Sequence, residues 1–262
     1  MEHAEAARWY ERWEAQQAGV IDRRDERFAA MFTVLGRVVD TEREFVVLDL
    51  ASGPAGISVR VLERFAAARC VALDLDPVLL AIGRATHGDI GGRLTWVEHD
   101  LRDRSWCDAV RAAVGRDRVD AVLTSTALHW IPSGALIDTY RGCAELLVDG
   151  GVLVNADNMD PPESRPVLRS LSDAAADALA AEIDDGAARG DFEGWTQWWD
   201  AVASSPELAA LHRERTERYA WRDRAEYRPG LAVHVAALEE AGFREVDTVW
   251  QRFRNRVLVA IR

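Results

Sequence analysis

Residues 46–56 decide the fold of this chain, and they read Val46-Val47-Leu48-Asp49-Leu50-Ala51-Ser52-Gly53-Pro54-Ala55-Gly56. The apolar run is typical of a buried strand, and the small residues after it predict a tight turn. In an open sheet of parallel strands, ligands bind at the carboxyl ends of the strands, so this turn is a candidate ligand site. The helix predicted after the turn begins there, and its free N–H groups suit an anionic group.

Short apolar runs alternate with helical segments from residue 45 to residue 157. We predict strands over 45–50, 70–74, 94–98, 119–123 and 152–156, and helices over 55–67, 77–85, 104–114 and 133–147. Strands this apolar need cover on both faces, as in a parallel sheet with helices on either side. Two more strands, over 243–250 and 256–261, end the chain. The predicted fold class is therefore α/β, a doubly wound Rossmann-like sheet of seven strands.

The pattern divides the chain into four regions. Residues 1–40 are predicted to be helical, and residues 41–159 hold the alternating strands and helices. Pro161 and Pro162 mark the start of a helical insertion over 160–228, after the fifth strand. Residues 229–262 return to the α/β pattern with a helix and two strands, which we expect to complete the core sheet.

Composition and charge argue against several classes of function. A formal net charge of −12 disfavours a nucleic-acid partner, because binding to a phosphate backbone needs clustered cations. No segment approaches the roughly 18 consecutive apolar residues of a membrane span. The first residues lack the apolar core of a secretory signal, so we expect a cytoplasmic protein. The three cysteines lie far apart, which predicts neither disulfides nor a metal site. The oligomeric state stays open.

Acidic residues lie at the ends of three successive predicted strands. Asp49 precedes the glycine of the turn, Asp74 ends the second strand, and Asp100 follows the third. A carboxylate at Asp49 disfavours the pyrophosphate of a dinucleotide and suits an ammonium group. Asp74 is placed to accept hydrogen bonds from both hydroxyls of a ribose, and Asp100 from the exocyclic amine of adenine. An ammonium group, a diol and an adenine together indicate S-adenosylmethionine (SAM).

The sequence resembles the class I SAM-dependent methyltransferase family in five stretches that keep the family's order: 46–56, 71–80, 99–101, 120–131 and 146–154. The resemblance implies that the turn around Gly53 cradles the methionine part of SAM. It also implies that Asp74 binds the ribose with Leu75 beside it, and that Asp100 and Leu101 contact the adenine.

The turn departs from the family pattern at Ala51 and Ala55, where glycine is usual. Alanine adds a methyl group and disfavours a positive φ angle. We therefore expect either a slightly opened turn or a reduced affinity for SAM, with Asp49, Ala51 and Gly53 still on the cofactor side of the site.

The fourth predicted strand leads into Thr124-Ser125-Thr126-Ala127-Leu128-His129-Trp130. In the family this segment passes beneath the methionine part of the cofactor and faces the substrate. The resemblance thus places Thr124 at the cofactor and Trp130 at the substrate. His129 is the candidate catalytic residue, a general base, since imidazole accepts protons near neutral pH. The alternative is that His129 only packs against or caps the next turn.

Aromatic residues outside the core are candidates for a cover over the site. Tyr10 lies between Trp9 and Trp13, which share a helical face, and this group forms either a lid over the cofactor or a docking surface for the helix. Trp199 belongs to a cluster that builds either an aromatic wall for the substrate or the core of the insertion. His234 is either a substrate contact or a half-buried residue of its helix. The other members of the tryptophan cluster are Trp195 and Trp198.

These residues predict an enzyme that transfers the methyl group of SAM to an oxygen, nitrogen or carbon nucleophile of a small-molecule metabolite. A second hypothesis is a methyltransferase-like protein that binds SAM without catalysis and acts as a partner or regulator. A third, an NAD-dependent oxidoreductase, requires a Gly-x-Gly-x-x-Gly turn without a preceding acid, and Asp49 and Asp100 count against it.

Overall fold

The structure is a computed structural model that describes residues 1–222 and 229–262. Residues 223–228, the end of the predicted insertion 160–228, lie outside the described residues. The strands are β1 (Phe45–Leu50), β2 (Ala68–Asp74), β3 (Leu94–Glu98), β4 (Val119–Ser125), β5 (Leu147–Asn158), β6 (Glu245–Arg252) and β7 (Asn255–Ile261). The helices are α1 (His3–Val20), α2 (Arg24–Val38), α3 (Gly56–Arg64), α4 (Pro77–His87), α5 (Trp106–Val114), α6 (Ser133–Leu146), α7 (Pro166–Arg189), α8 (Trp195–Ser204), α9 (Ala209–Arg218) and α10 (Leu231–Glu240).

The strands form one seven-stranded sheet in the order β3-β2-β1-β4-β5-β7-β6. β1 to β5 run parallel, whereas β7 pairs antiparallel with both β5 and β6. The strand order reverses direction between β1 and β4, which is the point where open α/β sheets bind ligands. The predicted α/β fold class is confirmed.

Apolar layers cover both faces of the sheet, and neighbouring residues of β1 belong to different layers. Val47 is buried with residues of α2 and α3, and Leu48 is buried on the opposite face with residues of α5, α6 and α10. Side chains alternate between the faces of a strand, so a strand that is buried on both faces must be apolar at nearly every position. This requirement explains why the sequence pattern located β1 correctly.

Two predicted strand or helix boundaries differ from the structure by three residues or more. β5 begins at Leu147, five residues before the predicted strand 152–156, because Leu147 already pairs with Val119 before the register shifts. α3 ends at Arg64 rather than at residue 67, since Ala68 is needed to pair with Phe45 at the start of β2.

The N-terminal helix and the inserted helix α8 pack together on α4. The ring centroid of Trp198 lies 5.8 Å from that of Trp9 and 4.9 Å from that of Trp13. Ile82 of α4 is buried in the same apolar cluster, and Arg12 of α1 forms two hydrogen bonds with Glu193, just before α8, at 2.8 and 2.7 Å. This arrangement places α1 and α8 side by side above the carboxyl edge of the sheet. In the described part of the chain, no helix has both the length and the apolarity needed to cross a membrane.

Candidate functional site

A cavity of about 450 Å³ opens at the carboxyl ends of β1, β2 and β4. It is bounded by the turn after β1, the loops after β2, β3 and β4, the helices α1 and α2, and the inserted segment. Most of the residues predicted for the site line this one cavity: Ala51, Gly53, Asp74, Leu75, Asp100, Leu101, His129, Trp130 and Trp199.

The turn after β1 is held in the left-handed backbone region. The φ angles are 57° at Ala51, 55° at Gly53 and 70° at Ala55. A non-glycine residue in this region is disfavoured by roughly 1–2 kcal/mol. The turn therefore keeps its tight shape despite two alanines, and the cost falls on the stability of the protein.

The carboxylate of Asp74 fastens this turn to the end of β2. Its Oδ2 accepts a hydrogen bond from Gly53 N at 2.6 Å, and its Oδ1 accepts one from Asp76 N at 2.8 Å. Burial, together with the neighbouring charge of Asp76, raises the pKa of Asp74 to about 6. A carboxylate offers about four acceptor positions, so Asp74 retains the capacity to accept further donors from the cavity.

Asp49 lies behind the turn, outside the lining of the cavity. Its Oδ2 accepts hydrogen bonds from Ser58 N at 2.9 Å and from Ser58 Oγ at 2.8 Å. Burial raises the pKa of Asp49 to about 7. The placement follows from strand alternation, because Asp49 points to the face of β1 that α3 covers. The structure thus gives Asp49 a contact with Ser58 at the start of α3, and its contact with an ammonium group stays a prediction.

An ionic cluster lies where α3 begins. Glu14 of α1 accepts hydrogen bonds from both terminal nitrogens of Arg24, at 2.9 and 2.8 Å, and from Arg60 at 2.6 Å. A Cβ atom at Gly56 would lie 3.0 Å from Glu14 Oε1 and 3.6 Å from Arg24 Nη2, so a larger residue there would crowd the carboxylate of Glu14. Burial raises the pKa of Glu14, but its hydrogen bonds and charge contacts with Arg24 and Arg60 outweigh burial and lower it overall.

His129 and Asp157 form a buried pair at the other end of the cavity. His129 Nδ1 lies 2.5 Å from Asp157 Oδ1, and His129 N donates to Asp157 Oδ2 at 3.0 Å. Burial raises the pKa of Asp157, but the charge and hydrogen bond of His129 lower it by more, so Asp157 is ionised. An ionised carboxylate only accepts hydrogen bonds, so Nδ1 carries the proton and Nε2 is the basic nitrogen of the neutral ring. The arrangement suits a general base whose orientation is fixed by a carboxylate.

Arginine side chains stack on aromatic rings around the cavity. The guanidinium carbon of Arg222 lies 3.8 Å from the ring centroid of Trp130. The guanidinium carbon of Arg215 lies 3.6 Å from the ring centroid of Trp199. Arg102 stacks in the same way on Trp221, at 4.2 Å, and also binds both carboxylate oxygens of Asp100. Stacked guanidinium groups hold aromatic rings in place while keeping their own charge.

Besides Asp49, three predicted contacts do not line the cavity. Tyr10 packs edge-on against His87, with 4.4 Å between ring centroids, because it faces α4. Thr124 is fully buried within β4. His234 is buried and shares a 2.6 Å hydrogen bond through Nδ1 with Tyr140 OH. Because burial lowers the pKa of His234 to about 4, it is neutral at physiological pH and has a structural contact instead of a place at the substrate.

The residues of the site that the sequence analysis missed include Glu14, Arg24, Asp157 and Arg215. The sequence could have identified Asp157 as a candidate, since it is an acid near the end of an apolar strand, like Asp49 and Asp74. The other three are charged residues on helices, where charge normally indicates a solvent-exposed face.

Comparisons with known proteins agree with this geometry. A profile of the methyltransferase domain family matches residues 47–151. Trans-aconitate 2-methyltransferase of Streptomyces avermitilis is 30% identical over 156 residues, which are 58% of this chain and 54% of the relative. The chain therefore spans about half the length of this curated relative.

Solved structures extend the likeness to almost the whole fold. An O-methyltransferase family protein from Burkholderia thailandensis superposes with a TM-score of 0.55 at 20% identity, over 89% of this chain and 55% of that chain. Human N-acetylserotonin methyltransferase, solved in complex with SAM, superposes with a TM-score of 0.50 at 12% identity, over 90% of this chain and 51% of that chain. At these identities the likeness shows the shared fold.

Residues 47–151 thus match the methyltransferase domain family, and SAM is the cofactor that this likeness supports. In this protein the domain is preceded by the helices α1 and α2, and it is followed by the inserted helices α7 to α9 and by the last two strands of the sheet.

Proposed function

We propose that this protein transfers the methyl group of SAM to a nucleophile of a small-molecule metabolite, with His129 as general base and Asp157 as the residue that positions it. The observation that carries the proposal is that one cavity joins the acidic strand ends of the methyltransferase domain to the His129–Asp157 pair.

The residues of the cavity fit the chemical groups of SAM. Asp74 offers acceptor positions to a ribose diol, and Asp100 an acceptor to an adenine amine. The Glu14–Arg24 pair is matched to the amino-acid end of SAM, which carries an ammonium group and a carboxylate. Gly53 and Gly56 both line the cavity, where the lack of a side chain lets a ligand approach the backbone closely.

The acceptor is activated at the other end of the cavity. When bound, SAM would supply a methyl group on a positively charged sulfur. A lone pair of the acceptor would form the new bond to the methyl carbon while the carbon–sulfur bond breaks and the sulfur leaves as a neutral thioether. His129 Nε2 takes the proton that an O–H or N–H acceptor loses, and Asp157 stabilises the resulting imidazolium. Holding two reactants in line lowers a barrier by as much as roughly 7–11 kcal/mol, so positioning by the cavity walls supports the base.

The walls favour a small acceptor with a flat apolar part. The lining contains several large aromatic side chains, among which Trp130 and Trp195 are 40% and 44% exposed. Aromatic walls give large contact areas to planar ligands. We propose that α1 forms the lid and α7 to α9 form the cover of this space. The curated relative from Streptomyces avermitilis is also named for a small organic molecule.

The test is formation of S-adenosylhomocysteine (SAH) from SAM in the presence of a panel of small hydroxylated, amino and carboxylic acceptors. The full chain is expected to form SAH with at least one acceptor, and His129→Ala to lose that turnover while binding SAH as tightly as the wild type. Turnover by His129→Ala at the wild-type rate would show that His129 is not the general base. SAH binding without turnover of any acceptor would favour the non-catalytic partner or regulator instead.

A further inference from the structure

Two arginines of the inserted helix α9 contact the segment that follows Asp74. No residue of α9, all of which the structure describes, is buried. Arg215 and Arg218 lie three positions apart and so share one helical face. Both contact the short segment between β2 and α4, which directly follows the proposed ribose contact Asp74.

Arg215 forms an ion pair with Asp76. Its Nε donates to Asp76 Oδ2 at 2.6 Å, and the two side chains are 15% and 4% exposed. The other oxygen of Asp76 accepts from Val78 N at 3.0 Å and Leu79 N at 3.2 Å, so Asp76 also caps α4. The ion pair therefore links α9 to the rigid N-terminus of α4.

Arg218 makes the second attachment. Its Nη1 donates to the carbonyl oxygen of Leu75 at 2.9 Å, and its Nη2 donates to Glu98 Oε1 at 2.7 Å. Glu98 ends β3, so one guanidinium group connects the ends of two neighbouring strands to the inserted segment. Arg218 and Arg215 together close α9 over the side of the cavity that carries Asp74 and Asp100.

The two inserted helices that face the core are attached by different physical means. α8 is anchored by fully buried apolar side chains, Trp198 and Val202, in the cluster with α4. α9 has no fully buried side chain: Leu211 only partly covers the same cluster, and the attachments of α9 to the segment between β2 and α4 are charged and hydrogen-bonded contacts, which break without exposing a fully buried side chain. Opening α9 alone is therefore easier than opening the whole cover.

We propose that Arg215 and Arg218 are a clasp that controls the exchange of the cofactor: α9 closes over the segment 74–76 through these arginines, and it opens to admit SAM and to release SAH. The inference rests on the proposed function, because it assigns the cofactor's ribose end to this side of the cavity. The clasp acts on the loop and on the exit path, so Arg215 and Arg218 hold the closed state without being catalytic residues.

The test measures the release of radiolabelled SAH from the full chain after dilution into excess unlabelled SAH, together with the association rate. The variants are Arg215→Lys, Arg218→Ala and the double variant Arg215→Lys/Arg218→Ala. Arg215→Lys preserves a positive charge beside the buried Asp76, which protects folding. Arg213→Ala is the matched control, since Arg213 is an exposed arginine on the same helix.

The clasp predicts that Arg218→Ala and the double variant release SAH about tenfold faster or more. The association rate is expected to rise as well, so that Kd changes less than the release rate, while Arg213→Ala behaves as the wild type. Release within twofold of the wild type in all variants overturns the clasp. Faster release with an unchanged association rate also overturns it, because the arginines would then only support the loop. Absence of SAH binding by the wild type instead overturns the proposed function.

Discussion

His129 and Asp157 contact each other through two hydrogen bonds: Nδ1 of the ring lies 2.5 Å from one carboxylate oxygen, and the backbone N–H donates to the other at 3.0 Å. The ring and the backbone of the same residue are thus fixed by one buried carboxylate at the end of β5. Such a two-point attachment leaves the imidazole little freedom to rotate, which is the property that a positioned general base needs.

Replacement of Asp157 by asparagine tests this attachment. Asp157→Asn keeps the size of the side chain but removes the charge that stabilises a protonated His129, so kcat should fall by about 10- to 1,000-fold. The affinity for SAH should stay within about twofold of the wild type, and Asp149→Asn, whose side chain is 97% exposed, is the control. Steady-state kinetics and calorimetry measure the two quantities. An unchanged kcat would mean that the acceptor needs no base.

The ionic cluster at the start of α3 is expected to bind the amino-acid end of the cofactor, and a variant of Arg24 tests this. Arg24→Ala should weaken binding of SAH by roughly tenfold, because a charge-assisted hydrogen bond to the ligand carboxylate is lost. Binding of 5′-methylthioadenosine, which has no amino-acid group, should be unaffected. Arg23→Ala is the control, since the neighbouring Arg23 is more than half exposed. Equal weakening of both ligands would show that Arg24 acts only through the fold.

The alanine at position 51 should lower stability through its backbone. Ala51→Gly relieves a φ angle of 57° and should raise the free energy of unfolding by about 0.5–1 kcal/mol, after subtraction of the extra entropy of glycine in the unfolded chain. Ala127→Gly is the matched control: Ala127 is another half-buried alanine of the cavity but has φ −124°, so its replacement should destabilise. Urea denaturation gives both values. Destabilisation of the two variants by the same amount would rule out backbone strain at Ala51.

Asp49 predicts a dependence of stability on pH. Burial raises its pKa to about 7, so between pH 4 and pH 7 the folded state holds a proton that the unfolded state has lost, and stability falls as the pH rises. Asp49→Asn keeps an acceptor for Ser58 and cannot ionise. The difference between the free energies of unfolding of the variant and of the wild type should therefore shift by about 2–3 kcal/mol in favour of the variant between pH 5 and pH 8. Parallel curves for the two proteins would contradict this account.

Much of the fold was predictable because the signals are local. The burial of β1 on both faces requires the apolar run at Phe45–Leu50, and the positions of Asp74 and Asp100 follow from the strands that precede them. Those two acids were predicted to face the ligand, and both line the cavity. Gly53 was placed at the cavity for the same reason.

The remaining site residues depend on contacts between distant parts of the chain. Glu14 meets Arg60, 46 residues away, and Arg215 meets Asp76, 139 residues away. No spacing rule connects such pairs, because the approach of α1 and α9 to the sheet is set by tertiary packing. Asp49 illustrates a different point: it lies at the turn in the sequence, but the alternation of the strand directs its side chain to Ser58 and outside the cavity lining.

The most direct test of the central claim is calorimetric titration of the full chain with SAH, with NAD as the control ligand and Asp74→Ala as the control variant. The account predicts that SAH binds, that NAD does not, and that Asp74→Ala weakens SAH binding by about 1.5–3 kcal/mol. Lack of SAH binding by the folded wild type, or an unchanged affinity in Asp74→Ala, would contradict the placement of the cofactor in this cavity.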